Sequence, residues 1–388
     1  MLCKQLKELI ILLKAAFHHC RKQIPLEKFP VIRFISNIFL YPLALLYGAA
    51  TELRNLFYDR QFFRSVKFDF PVISVGNLTA GGTGKTPHVE YLILLLQYVN
   101  RVATLSRGYG RKTHGFRIAA PQSSADEIGD EPRQFKAKFP ETIVAVGEDR
   151  VLSIPKILQA HPETDVVLLD DAFQHRSVRA GLSILLTEYN NLFTRDALMP
   201  LGWLREGKWN YHRADIIVVT KCPGTLSTAE REKIVAEIKP YKYQRVYFSA
   251  LQYGALYSFY DFAEKLELNN DTDVLLVCGI ANYTDLKKHL KTKTQNVYVR
   301  EFRDHHRFDS IDLDSIRQTY KNLGERNKVI VITEKDAARL EPFRHWFLQN
   351  KIRIFVQPVA VKFLNDDGQQ FNNNITAYIE FTKAKSAR

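Results

Sequence analysis

Hydrophobic positions along this chain fall into short apolar runs separated by stretches of helical period. Val72–Val75, Val102–Leu105, Ile143–Val146, Asp165–Leu169, Ser183–Leu186, Asp215–Thr220 and Arg245–Ser249 read as strands, with helices over Thr86–Val99, Arg150–Gln159 and Ser227–Lys239. Apolar strands alternating with helices predict a parallel sheet covered on both faces, hence an α/β fold. After the polar stretch Leu266–Asp273 a second series begins, with strands at Val274–Cys278, Asn296–Arg300, Lys328–Thr333 and Ile352–Gln357 and helices around Tyr283–Leu290, Ser310–Leu323 and Lys335–Asn350. The expected organisation is therefore a larger domain over 61–268 and a smaller α/β domain over 269–388, joined by a hinge. The polar segment Asn365–Asn374 is expected to turn between the last two strands.

Residues 1–60 follow a different pattern. Leu2, Leu6, Leu9, Leu13 and Phe17 share one helical stripe, with Lys4, Lys7, Lys14 and Lys22 elsewhere, until Pro25 ends the pattern. Phe34–Thr51 carries no charge. As a helix it would be about 27 Å long, short of a hydrocarbon core of about 30 Å. Pro42 and Asn37 also weaken a straight span, so an anchor entering one leaflet is expected.

Charge sharpens this picture. The whole chain of 388 residues carries 55 Lys+Arg against 42 Asp+Glu, a net +13, which favours anionic partners. Residues 1–70 hold eleven Lys/Arg against five Asp/Glu, so much of the excess lies beside the apolar run, where it suits an anionic membrane surface. Arg54, Arg60, Arg64 and Lys67 carry the basic character on toward the first long strand. No DNA- or RNA-binding motif accompanies the charge, and nucleic acid is not an expected partner. Cys3, Cys20, Cys222 and Cys278 show no paired spacing and indicate neither zinc nor disulfides.

The strongest chemical signal is Pro71–Pro87, PVISVGNLTAGGTGKTP. An apolar strand turns through Gly81, Gly82, Thr83 and Gly84 into Lys85-Thr86 and a helix. The glycines let successive N–H groups point inward, the helix start adds its positive end, Lys85 reaches phosphate oxygens and the Thr86 hydroxyl can hold Mg²⁺. This is a phosphate-binding P-loop, with Thr79 where the usual pattern has its first glycine. Asp170-Asp171 ends another apolar strand and is positioned to serve a metal, or water bound to it, beside such a loop. Phe173-Gln174-His175-Arg176 adds polar groups there, and Arg107 and Arg111 in Ser106–Arg111 offer guanidinium forks for phosphate. Asp130, in Gly129–Pro132, and the imidazoles of Asp304-His305-His306 could form an acid–base pair only if the two domains meet. Thr220-Lys221 and Thr333–Asp336 stand at strand ends, where bordering the nucleotide and capping a helix are both open readings.

Taken together, GNLTAGGTGKTP, SRGYGR, GDEP, DDAFQHR, GWLRE (Gly202–Glu206), the F-x-DHH of Phe302–His306 and TEKDA (Thr333–Ala337) resemble the tetraacyldisaccharide 4′-kinase, or lipid A 4′-kinase, family from about Ile38 to the C-terminus. Ala172 and Trp203 depart from the family's usual glycine and proline without removing a functional group. The resemblance implies an N-terminally anchored enzyme, expected as a monomer, on the cytoplasmic face of the Gram-negative inner membrane. It would transfer the γ-phosphate of ATP to the 4′-hydroxyl of lipid A disaccharide 1-phosphate, giving lipid IV-A. It further implies Asp130 as general base assisted by His305, Lys85, Thr86 and Asp170-Asp171 on ATP and Mg²⁺, and His175, Arg205 and Glu206 around the acceptor, with Arg107 at the same rim. Two rival readings share part of the pattern: a membrane-associated P-loop NTPase driving a partner protein, and a basic nucleic-acid-binding module.

Overall fold

The computed structural model of the protein describes residues 30–324 and 327–386, with side chains from Leu40 onward. The basic amphipathic helix expected over residues 1–24 lies outside the described residues. Among those described, Val72–Asn77 is buried at every position because it is the middle strand of a nine-stranded sheet. Val166–Asp170, Val102–Ser106 and Ile143–Val146 extend the sheet on one side; Leu182–Glu188, Ile216–Thr220 and Arg245–Tyr253 extend it on the other, all parallel. Arg117–Ile118 and Val359–Phe363 finish the two edges antiparallel. The strand ends at Asn77, Ser106 and Asp170 therefore share one rim, where ligands bind in open α/β sheets.

Helices cover both faces, which is why the strands are apolar throughout rather than alternating. The P-loop helix Lys85–Leu96 buries Val89, Leu92, Ile93 and Leu96 between the sheet and the last helix, Asp367–Ser386, which contributes Phe371, Ile375 and Ile379 to the same core. Helix Arg150–Ala160 covers the opposite face with Ile154 and Ile157. The second domain is a six-stranded sheet in the order Lys265–Leu266, Leu256–Ser258, Ile354–Gln357, Lys328–Thr333, Asp273–Cys278, Val297–Glu301, with a core on each face.

Four expectations are corrected by this topology. The second domain begins before Leu266–Asp273, because Leu256–Ser258 already pairs with Ile354–Gln357. It also ends before residue 388: Val359–Phe363 pairs with Arg245–Tyr253 of the first sheet, so the chain changes sheet at Pro358, and Asn365–Asn374 runs into the last helix instead of turning between strands. Phe371, Ile375 and Ile379 at four-residue spacing bury that helix on the P-loop helix, and this burial outweighs the polar residues between them. The two crossings are tied together, since Gly254 N donates to Pro358 O (3.1 Å) and Gln357 Nε2 donates to Gly254 O (2.7 Å). Finally, Lys335–Asn350 is two helices, Glu334–Leu340 and Arg344–Gln349, separated by a 3-10 turn at Pro342, whose missing N–H cannot continue the helix.

Helix Pro30–Asp59 lies along the first domain. Ala44, Tyr47, Thr51, Asn55 and Tyr58 are buried, while Tyr41, Leu45, Leu46, Leu53 and Leu56 form an exposed apolar stripe on the other side, with Leu46 66% exposed. No helix among the described residues is long and apolar enough to cross a membrane.

Candidate active site

The P-loop is held from beneath. Gly84 adopts a left-handed conformation (φ 85°) at the helix start, a geometry that glycine reaches without strain. Its carbonyl is fixed by His88, whose Nδ1 donates to Gly84 O (2.7 Å) while Nε2 faces Ser249 Oγ (3.0 Å). Burial pushes the His88 imidazole down to about 4, so it works there as a neutral ring. Asn77 Nδ2 donates to Thr83 Oγ1 (2.9 Å), Thr220 Oγ1 donates to Thr83 O (2.9 Å), and Lys85 Nζ donates to Asn77 Oδ1 (3.2 Å). Gly81 and Gly82 are exposed at the loop's crest.

Asp170 and Asp171 are adjacent in sequence but have different surroundings. Asp170 closes its strand and is 6% exposed, and its Oδ1 has no hydrogen-bond partner. Burial, reinforced by the negative charges of Glu131 and Asp171, pushes its carboxyl up to about 7. A cation beside it would relieve that cost. Asp171 turns away at φ 47° and pairs with Arg205 Nη1 (2.8 Å) and Lys85 Nζ (3.6 Å). Burial opposes ionisation there, yet Arg205 and Lys85 hold its carboxyl well below the usual range. Burial depresses the Lys85 ammonium, and Asp171 works against that fall.

A hydroxyl at Thr86 and a carboxylate at Asp170 are hard oxygen donors of the kind Mg²⁺ takes alongside phosphate oxygens. No group of three or more His, Cys, Asp or Glu that could cage a metal occurs among the described residues. Asp171, expected beside the metal, is instead occupied by its two cations.

The two domains meet at Asp130. It begins helix Asp130–Lys138, and its Oδ2 accepts from His305 Nδ1 (3.0 Å) and from Arg339 Nε (2.8 Å), both from the second domain. Its Oδ1 has no protein partner among the described residues. Burial opposes the charge, but these two donors keep the Asp130 carboxyl below its ordinary value. Gly129 allows the approach: a Cβ there would stand 3.0 Å from the Gly108 backbone, so the GDEP and SRGYGR loops touch through their glycines. Tyr109 from the second of these loops lies edge-on against the His305 ring, with centroids 4.9 Å apart. Beside the pair, Lys335 bridges to Glu131 (2.7 Å), and Glu131 is one of the charges that act on Asp170, linking the dyad to the P-loop side of the cleft.

The remaining predicted site residues divide. His175 Nε2 is 2.9 Å from Nη1 of the buried Arg150, whose Nη2 donates to Asp170 O (3.3 Å). Arg107 is exposed at the rim, within electrostatic reach of Arg150. Arg205 faces the cleft through Asp171 and Gln174. Glu206 differs: it is 2% exposed and accepts from Asn55 Nδ2 (2.8 Å), Gln174 Nε2 (3.1 Å) and Arg213 Nη2 (2.5 Å). It ties helix Pro30–Asp59 to the DDAFQHR and GWLRE loops, a bond strengthened by Tyr47 Oη donating to Arg205 O (2.6 Å) and by Arg54 Nη2 donating to Gln174 O (2.8 Å). Glu206→Ala is therefore expected to destabilise the protein by about 3 kcal/mol, since it leaves the largely covered Arg213 guanidinium without its carboxylate. Denaturant unfolding checks this; an unchanged midpoint with weakened lipid binding would make Glu206 a substrate contact instead.

Asn77, His88, Arg150 and Arg339 are site residues that sequence reasoning missed. Only Thr333 and Asp336 gave a signal, through the cap they form, with Asp336 N donating to Thr333 Oγ1 (3.2 Å).

A family model described as tetraacyldisaccharide-1-P 4′-kinase matches residues 36–380. A tetraacyldisaccharide 4′-kinase of Phocaeicola vulgatus is 42% identical over 348 residues, covering 88% of this chain and 95% of that protein. Another, of Parabacteroides distasonis, is 43% identical over 351 residues, covering 89% and 95%. Among solved structures, LpxK from Aquifex aeolicus in complex with ATP is similar with a TM-score of 0.68 and 27% identity, covering 90% of this chain and 99% of that one.

Proposed function

The chain belongs to the tetraacyldisaccharide-1-P 4′-kinase family, and we propose on that basis how its interdomain cleft phosphorylates the 4′-hydroxyl of a tetraacylated glucosamine disaccharide 1-phosphate. The reaction is the ATP-dependent 4′-phosphorylation of lipid A biosynthesis. The observation that carries our reading of the site is Asp130: a carboxylate held by two donors on one oxygen, with its other oxygen open, in the same cleft as Lys85.

In this reading the backbone of Gly81–Thr86 cradles the phosphates of ATP, and Lys85 reaches the γ-phosphate oxygens. Asp130 Oδ1 accepts the proton of the 4′-hydroxyl as its oxygen bonds to the γ-phosphorus. The bond from that phosphorus to the β-bridging oxygen breaks, and ADP leaves. His305 steadies the base, and Asp171 keeps Lys85 and Arg205 in position. Mg²⁺, held by Thr86 and Asp170, would neutralise charge on the phosphate oxygens when bound. Arg107 and His175 are the rim groups we assign to the acceptor, with Arg205 beside them.

The exposed stripe of helix Pro30–Asp59 supports docking on the bilayer at its cytoplasmic face. The inner side of the same helix fastens the Asp170–Arg176 and Gly202–Glu206 loops, so a lipid lying in the membrane would meet the cleft directly.

The test is a reaction of detergent-solubilised protein with ATP, Mg²⁺ and the purified disaccharide 1-phosphate, followed by mass spectrometry. The lipid is expected to gain one phosphate, and chelation of Mg²⁺ to abolish the gain. Unmodified lipid with Mg²⁺ present would sink the assignment. In Mg²⁺ titrations Asp170→Asn is expected to raise the metal requirement more than Asp171→Asn; the reverse order would make Asp171 the ligand.

A further inference from the structure

We propose that Arg339 is a positioning residue for this transfer: from the second domain it fixes the orientation of Asp130, so that the base is ready only when the two domains are together. The proposal rests on the reading of Asp130 as base.

Arg339 is 7% exposed, and its Nε and Nη1 are both engaged. Nη1 donates to Gly279 O (2.6 Å) and to Asp336 Oδ1 (3.2 Å), while Nε reaches across the cleft to Asp130 Oδ2. Asp336 is itself fully buried and fixed, accepting from Gly279 N (3.0 Å) and Thr333 Oγ1 (2.7 Å). The TEKDA segment thus builds a rigid socket whose product is an arginine pointed at the other domain. Nη2 stands 3.4 Å from His305 Nδ1, so the two cross-domain donors converge side by side on one carboxylate oxygen. That convergence leaves Oδ1 to the acceptor hydroxyl of the proposed reaction, both donors being on Oδ2.

The charged surroundings of Asp130 are His305, Arg339, Glu131 with its partner Lys335, Asp336 behind Arg339, and Asp304, whose Oδ1 is 3.9 Å from His305 Nε2; Tyr109 covers the imidazole. Burial raises the Asp130 carboxyl, and His305 and Arg339 bring it below its ordinary value. A base must be deprotonated, so activity falls as pH drops through that value. In the wild type this fall lies below the ordinary aspartate value. Without Arg339, burial is opposed by His305 alone and the fall moves to higher pH.

The experiment is a pH profile of kcat and kcat/KM for Arg339→Met and Arg339→Lys, with ATP affinity and thermal midpoint measured on each. Arg339→Met is expected to move the acid limb up by about 1–3 pH units and to lower kcat by up to about 10²-fold, with ATP affinity unchanged. Arg339→Lys should restore much of both, because it keeps the charge. Arg339→Met strands Asp336 as a buried carboxylate, so the double variant Asp336→Asn/Arg339→Met, which removes that charge, carries the test if the single variant fails to fold. An acid limb that stays in place in a folded variant overturns the proposal, as does Arg339→Lys behaving like Arg339→Met. Asp130→Asn run alongside separates the two ways of failing. If it keeps wild-type rates, the base assignment and this proposal both fall; if it is inactive while the limb does not move, only the role of Arg339 falls.

Discussion

Lys85→Ala lowers turnover by about 10²–10³-fold and leaves the fold intact. Lys85 Nζ sits between Asn77 Oδ1 at 3.2 Å and Asp171 at 3.6 Å, at the start of the P-loop helix. Its ammonium is bonded into the polar network of the loop, so truncation is expected to spare the apolar core of the sheet. What it removes is the cation that the proposed function sets against the γ-phosphate, where charge spreads over oxygens in the transition state. Asp171 keeps Arg205 as partner, so the strand end is not left with a bare carboxylate. Single-turnover kinetics with a thermal melt of the same sample check the result. Wild-type-like turnover in a folded variant would remove the P-loop from the mechanism.

Asp130→Asn lowers the rate of lipid phosphorylation by about 10²–10⁴-fold, the range for losing a general base. The amide is nearly isosteric. Its oxygen can still accept from His305 and Arg339, so the interdomain contact survives while the ability to take a proton does not. ATP binding is expected to persist, because the loop that cradles phosphate is built from Gly81–Thr86 and supported by Asn77, His88 and Thr220. The measurement is kcat against lipid at saturating ATP together with ATP affinity. A variant that phosphorylates lipid at the wild-type rate would mean that another group, or none, takes the proton.

How far the site could be read from sequence follows from how local each feature is. The P-loop lies within a dozen residues and needs only glycine freedom, a helix start and Lys85-Thr86, so it was legible outright. The Asp130–His305 pair spans 175 residues and two domains, and no local pattern reports such a meeting; the residue types allowed the pair, and the family resemblance gave it a role. The division between Asp170 and Asp171 was hidden because it depends on one backbone turn, φ 47° at Asp171, which sends neighbouring carboxylates to opposite fates. Glu206 looked like a cleft residue beside Arg205, but a carboxylate's burial cannot be read from its own letter, and three partners fix it inside. The last helix is a different kind of miss. Phe371, Ile375 and Ile379 already show helical spacing, and the intervening asparagines obscured it.

In the proposed function this cleft moves phosphate from ATP to a lipid hydroxyl and not to water. The most direct measurement follows γ-labelled ATP in detergent-solubilised protein with Mg²⁺ and the disaccharide 1-phosphate, and counts label in lipid against label in free phosphate. The account predicts that label enters lipid, with little free phosphate when the acceptor is present or absent. Label accumulating only in free phosphate, untouched by added lipid, would contradict it and describe an NTPase instead.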